Sequence, residues 1–293
     1  VGVPGVPALL EEAHQRWGKA KWSILFNDAI RLAEYGFVVT PRLANLVARD
    51  KKRLARFGQT ADYFFPNDKP IPAGYILKNP AYAETLKALA SEGSSVFYGG
   101  PIAQDIVNTA LTADDNPGLL SLHDLSIYTV KQREAVCTRY RGYDVCGMGP
   151  PSSGGLAVGQ ILAIISHFDV ASLGPQSAEA WRIIGDASRL AFADRGRYIA
   201  DSDYVPVPVR GLLDPAYIAE RASLLTGANA LEKVDAGIPP FNKALLRADD
   251  ESIELPSTSH ISIVDQFGNA LSMTTTIENA FGSRLMTKSG FLL

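Results

Sequence analysis

Residues 258–277, TSHISIVDQFGNALSMTTTI, alternate along two short runs that meet at DQFGN. β-Branched residues in alternation favour pleated backbone, and a short break containing Gly favours a reversal. The segment therefore predicts an antiparallel hairpin centred on Gln266–Gly268. With the turn there, Thr258 falls opposite residue 275, 276 or 277. The two ends of this hairpin are rich in hydroxyls: Ser257, Thr258 and Ser259 on one side, Thr274, Thr275 and Thr276 on the other, with His260 beside the first cluster. Two readings stand open. Thr favours strands, so this is an ordinary Thr-rich hairpin; or one hydroxyl is a nucleophile and another serves it.

The rest of the chain is mostly helical in pattern. Residues 7–57 predict helices, with Gly36 as a stop and Thr40 as an N-cap followed by Pro41 at the first helical position. Residues 58–80 hold Pro66, Pro70, Pro72, Gly74 and Pro80 and predict an irregular connector, packed through Tyr63, Phe64 and Phe65. Two helices are expected over 80–112, split at Gly99-Gly100, and 121–130 is expected to lead into strands. REAVCTRYRGYDVCGM (133–148) alternates about Arg141-Gly142, a hairpin signal. GPPSSGG (149–155) then opens a helix, with Ser152 and Ser153 as caps. A long amphipathic helix follows from Ser177, and another begins at Asp214-Pro215. Residues 226–256 are polar and predict a surface loop.

Bulk properties remove several function classes. A length of 293 residues allows one large domain or two ordinary ones. The net charge is −3 with no basic stripe, so nucleic acid is not an expected partner. The longest apolar run, 156–165, is too short to span a bilayer, so no transmembrane segment is expected. The four histidines, His14, His123, His167 and His260, lack metal-ligand spacing, so no metal is expected. No serine lies in G-x-S-x-G. GPPSSGG lacks the Lys-Ser/Thr of a phosphate loop and suits a turn that lets a helix pack closely. Asp194, Arg195 and Arg197 are accounted for by surface or interhelical ion pairs. The chain starts without Met and ends abruptly on SGFLL, as though both ends were cuts through a longer protein.

Six stretches together carry a resemblance: VGVPG (1–5), AIRLAEYGFVVTPRLA (29–44), PPSSGG (150–155), AFADRGRY (191–198), DYVPVPVRGLLDPAYIAER (203–221) and TSHISIVDQFGNALSMTTTI (258–277). In this order the chain resembles the gamma-glutamyltransferase (gamma-glutamyltranspeptidase) family of N-terminal-nucleophile hydrolases. The resemblance implies an α+β fold, the four-layer αββα sandwich, of which this chain holds a fragment. It implies a precursor that cuts itself between Ser257 and Thr258. Residues 1–257 would then be the C-terminal part of the large subunit, and 258–293 the start of the associated small subunit. Thr258 would be the nucleophile, with its freed α-amine as base. Thr276 would hydrogen-bond to it, and Glu278 would bind the substrate's α-amino group.

The reaction so implied is acyl transfer from glutathione or another γ-glutamyl compound to water, an amino acid or a peptide. No cofactor is expected. The oxyanion-hole glycines and the pocket's Asp and Ser residues would lie beyond Leu293, and the carboxylate-binding Arg before Val1. A cephalosporin or glutaryl-type acylase of the same superfamily, or a truncated non-catalytic relative, are the alternatives. The family implies periplasmic or extracellular residence. There Cys137 and Cys146, which face each other if the hairpin turns at Arg141-Gly142, would form a disulfide; two small thiols packed side by side are the other reading. With only two cysteines, a disulfide-scaffold protein is excluded.

Overall fold

The computed structural model describes residues 1–241, 248–250 and 258–293. It is α+β: helices dominate, and the strands pair among the described residues as three two-stranded antiparallel ladders. The chain divides into two compact units, one of Val1–Val130 with Glu254–Leu293, the other of Lys131–Ile253. The first unit takes residues from both sides of position 257, because the end of the chain packs back onto its beginning.

In that first unit, Thr40 caps the helix Pro41–Arg49 as expected, its hydroxyl accepting from the Leu43 N–H. Gly36 ends the helix Asn27–Tyr35 at φ +91°. The expected connector at 58–80 is instead a helix at its start, Gly58–Phe64. Every proline of that stretch falls after Phe65, so none forbids the helix, and burial of Thr60, Phe64 and Phe65 stabilises it. Three helices, not two, occupy 80–111: Pro80–Glu92, Ser95–Tyr98 and Gly100–Leu111. Residues 122–126 are a short helix rather than an approach to strands. A capping box explains it: the Ser121 hydroxyl accepts from the Asp124 N–H while the Asp124 carboxylate accepts from the Ser121 N–H.

The last thirteen residues complete two apolar cores of this unit. Phe281 and Met286 join Val39, Val47, Leu54, Phe64 and Ile71. Leu293 joins Leu89, Ile106 and Leu125, and Phe291 stacks on Phe97 with centroids 5.4 Å apart. Each such buried side chain is worth about 1.5–3 kcal/mol. Polar anchors fix the register of the docking. Asp105 accepts from the Lys288 and Ser289 N–H groups, Asn79 donates to the Gly290 carbonyl, and Thr85 donates to the Ser289 carbonyl.

In the second unit the hairpin Ala135–Tyr140 and Tyr143–Met148 pairs Tyr140 with Tyr143 across Arg141-Gly142, and Cys137 with Cys146. The helices Gly154–Ile165, Ala178–Tyr198 and Pro215–Ser223 pack around Ile164, Ile183, Leu190 and Ile218. Gly155 lies so close to Gly147 that a Cβ on it would sit 2.9 Å from the Gly147 backbone, so the Gly-rich turn does serve close packing. Ser153 stands at the cap position of that helix but makes no capping bond; its hydroxyl accepts from Arg195 Nε at 2.9 Å. Of the surface and interhelical readings of Asp194, the interhelical one holds: it pairs with Arg221 of the helix Pro215–Ser223. Asp194 is fully buried and accepts from Gln160, Tyr217, Arg221 and the Gly237 N–H. Burial first, and the adjacent Asp194 carboxylate second, hold the Tyr217 phenol well above its ordinary range.

Candidate functional site

The hairpin of the first unit runs Thr258–Val264 and Ala270–Thr276. Asp265 builds its turn, accepting from the Asn269 side chain at 2.7 Å and from the Phe267 and Asn269 N–H groups. Gly268 takes φ +82°, where a Cβ would be strained. These bonds, that from the Asn269 side chain foremost, hold the Asp265 carboxyl below its ordinary range.

The turn sets the register, and the register sets the site. Thr258 stands opposite Thr276, His260 opposite Thr274, and Ser262 opposite Ser272. Alternation puts all six on one face. Ile261, Ile263, Leu271 and Met273 share the other. The polar face is knit together at its middle: His260 Nδ1 lies 2.8 Å from Thr274 Oγ1, and Nε2 lies 3.0 Å from Ser262 Oγ and 3.3 Å from Ser272 Oγ. Thr258 and Thr276 share its open end. Ser257 lies outside the described residues.

Beyond Thr276 the chain turns sharply. The Glu278 N–H donates to Thr276 Oγ1 at 3.0 Å, and Glu278 takes φ +75°. One lone pair of the Thr276 hydroxyl is thereby engaged, which orients it. Gly282 takes φ +52°, and a Cβ there would lie 2.2 Å from the Leu293 carbonyl oxygen, so both conformation and space call for glycine. Thr276, Glu278, Asn279 and Arg284 line a cavity of about 550 Å³ together with Val1–Gly5 and Leu293. The structure thus brings Thr258, Thr276 and Glu278 to one end of one hairpin. Chemically, the end offers two facing threonines and an exposed carboxylate beside a cavity, side chains able to act as a nucleophile and as a partner for a cation.

Cys137 and Cys146 belong to the other compact unit. Their sulfurs are bonded, with Cα atoms 4.0 Å apart. No helix among the described residues is long and apolar enough to cross a membrane. Arg284, which lines the cavity, and Asp50, which bonds to it, escaped sequence reading. They are 234 positions apart, and neither carries a local motif.

Known proteins share this arrangement of sequence and fold. The gamma-glutamyltranspeptidase family profile matches residues 1–293. The glutathione hydrolase proenzyme of Bacillus subtilis (strain 168) is 34% identical over 98% of this chain and 49% of its own length. The acylase ACY 1 proenzyme of Pseudomonas sp. (strain V22) is 36% identical over 98% of this chain and 49% of its own. Among solved structures, the Helicobacter pylori gamma-glutamyltranspeptidase superposes with a TM-score of 0.77 at 32% identity, covering 81% of this chain and 68% of that one. The Bacillus halodurans cephalosporin acylase reaches 0.83 over 99% of this chain and 51% of that one; at 24% identity it speaks to fold alone.

The fold is therefore α+β of the N-terminal-nucleophile hydrolase type, present here in part. The chain spans about half the length of the curated relatives it matches. It belongs to the gamma-glutamyltranspeptidase family.

Proposed function

We propose that this chain is part of a γ-glutamyl acyl-transfer enzyme, a gamma-glutamyltransferase or glutathione hydrolase, with Thr258 as nucleophile. One observation carries the reading: Thr258, the first residue of its strand, stands directly opposite Thr276, two residues before a cavity-lining carboxylate. Several relatives are called proenzymes, which agrees with a precursor that is cut. In the precursor, Thr258 Oγ1 attacks the carbonyl carbon of Ser257 and the peptide nitrogen leaves as the Thr258 amine. Water then hydrolyses the ester. The large subunit ends at Ser257, and the small subunit begins at Thr258 and remains associated with it.

The freed amine titrates near neutrality, about pKa 7.7–8.0 for an ordinary α-amine, which suits a general base. It takes the hydroxyl proton as Thr258 Oγ1 attacks the γ-carbonyl of glutathione or a similar amide. The tetrahedral intermediate collapses, the C–N bond breaks, and the leaving amine takes that proton. Water, an amino acid or a peptide then accepts the γ-glutamyl group from the ester. Thr276 donates to Thr258 Oγ1, and Glu278 pairs with the donor's α-ammonium. No cofactor takes part. Family resemblance supports export to the periplasm or beyond.

The acylase relatives favour one second reading, an amide acylase of the same chemistry. Glu278 speaks against it, since a glutaryl group lacks the ammonium that this carboxylate would pair. The test uses the full-length precursor. The wild type should separate into two bands, the smaller beginning with Thr258, and should turn over γ-glutamyl amides. Thr258→Ala should leave one band and no turnover. Processing and turnover in that variant would assign the nucleophile elsewhere. A wild type that cleaves only glutaryl amides would select the acylase.

A further inference from the structure

We propose that Asp50 is a positioning residue for the α-ammonium site, acting through Arg284 on the loop that carries Glu278. This rests on the acyl-transfer reading above. Arg284 is buried, and its guanidinium makes three bonds: Nε to Asp50 Oδ2 at 2.9 Å, Nη1 to the Gly282 carbonyl at 2.8 Å, and Nη2 to Asn279 Oδ1 at 3.3 Å. Asp50 is buried as well, and its other oxygen accepts from Arg53. An arginine lining a cavity beside a γ-glutamyl site invites the role of carboxylate receptor. The geometry points elsewhere. Three of its five N–H donors, one on each nitrogen, serve groups of the protein, and Asp50 supplies a counter-charge.

What the three bonds do is brace a turn. Asn279 Oδ1 also accepts from the Ala280 N–H at 2.7 Å, so the Arg284 fork holds the turn at Asn279 and again at Gly282. Arg284 itself takes φ +66°, a conformation that costs free energy for any residue but Gly. Such a residue persists where its surroundings over-determine it. Here they do: Thr60 Oγ1 donates to the Arg284 carbonyl at 2.6 Å and accepts from the Met286 N–H, while Asp50 holds the side chain. Glu278, also left-handed at φ +75°, sits between this brace and the Thr276 hydroxyl that accepts its N–H. The backbone that presents the Glu278 carboxylate is therefore held at one end by the hairpin and at the other by Asp50 through Arg284. Removing Asp50 leaves a buried guanidinium without its counter-charge, and the guanidinium must move toward water. Its bonds to Asn279 and Gly282 go with it.

The test is steady-state kinetics on the processed full-length enzyme, with active sites titrated, for a γ-glutamyl amide and its des-amino glutaryl analogue. Asp50→Ala and Arg284→Lys should each raise KM for the γ-glutamyl amide by about tenfold or more. Their kcat should stay within about threefold of wild type. KM for the glutaryl amide should not change. Asp50→Asn, which keeps an oxygen facing Arg284 Nε, should restore part of the loss. In a Glu278→Ala background, Asp50→Ala should add nothing to KM. A fall in melting temperature or active-site fraction with KM unmoved would make the pair merely structural and overturn the proposal. So would a full additional KM effect in the Glu278→Ala background. If Asp50→Ala fails to fold, Asp50→Asn and Arg284→Lys decide by the same KM criterion. The two levels separate cleanly. Glu278→Ala without effect on KM sinks the recognition reading and this inference with it; an effect of Glu278→Ala with none from Asp50 or Arg284 sinks this inference alone.

Discussion

Replacing Thr276 by Val separates catalysis from architecture, because the two side chains are nearly the same shape and only the hydroxyl is lost. In the structure that hydroxyl accepts from the Glu278 N–H at 3.0 Å, on an exposed residue. Losing one such bond costs about 0.5–1.5 kcal/mol, and water can replace the acceptor at this exposed position. Valine's preference for strands offsets part of that cost. The net loss is then no more than about 1 kcal/mol, which moves the melting temperature of a 293-residue chain by less than about 2 °C. The kinetic loss should be larger. A hydroxyl donating to a nucleophile oxygen that gains charge is worth about 1.5–3 kcal/mol, or about 10–150-fold in rate. The assay is release of a chromogenic amine from a γ-glutamyl amide, with the processed fraction measured on a gel and the melting temperature by scanning fluorimetry. Thr276→Ser keeps the hydroxyl and should recover most of the turnover. A Thr276→Val enzyme whose turnover stays within about twofold of wild type would refute the role, since that is less than a single hydrogen bond.

The remaining predictions concern the scaffold. Cys137 and Cys146 should be recovered as one disulfide-linked peptide from a nonreducing digest of exported protein, and two alkylatable thiols would contradict this. With the cysteines only nine positions apart, the bond should add less than about 3 kcal/mol to stability. Asp194→Ala should destabilise its unit by about 3–5 kcal/mol, because Arg221 would stay buried without its counter-charge; urea unfolding within about 1 kcal/mol of wild type would refute that. Asp265 sets a pH dependence. Its folded pKa is lowered, so its contribution is fully present above the unfolded carboxylate value of about 3.9 and is lost as pH falls through the folded one. The gap in melting temperature between wild type and Asp265→Ala should therefore be constant near neutrality and shrink below about pH 4; a gap that widens in acid would reverse the sign.

Short-range geometry was legible from the residues alone. Thr40 and Asp214 cap their helices, each followed by the proline that starts it, because capping involves groups only two or three positions apart. The hairpin count brought Thr258 within one residue of its partner, and the turn at Arg141-Gly142 gave the cysteine register, because a tight turn dictates every pair that follows it. Prolines misled at 58–64, where the helix ends before the first of them, and at Ser121 a capping box went unread beside an apolar run. Other features were decided only in three dimensions. Ser153 serves Arg195 instead of its own helix. Asp194 is a buried hub and not a surface charge, because burial depends on which helices pack over it. Asp50 meets Arg284 across 234 positions, and the end of the chain docks against residues from its first half. Periodicity and turn chemistry act over a few bonds of backbone, so a sequence displays them directly. A charge pair formed between remote segments depends on the whole path of the chain between them, and no local pattern encodes that path.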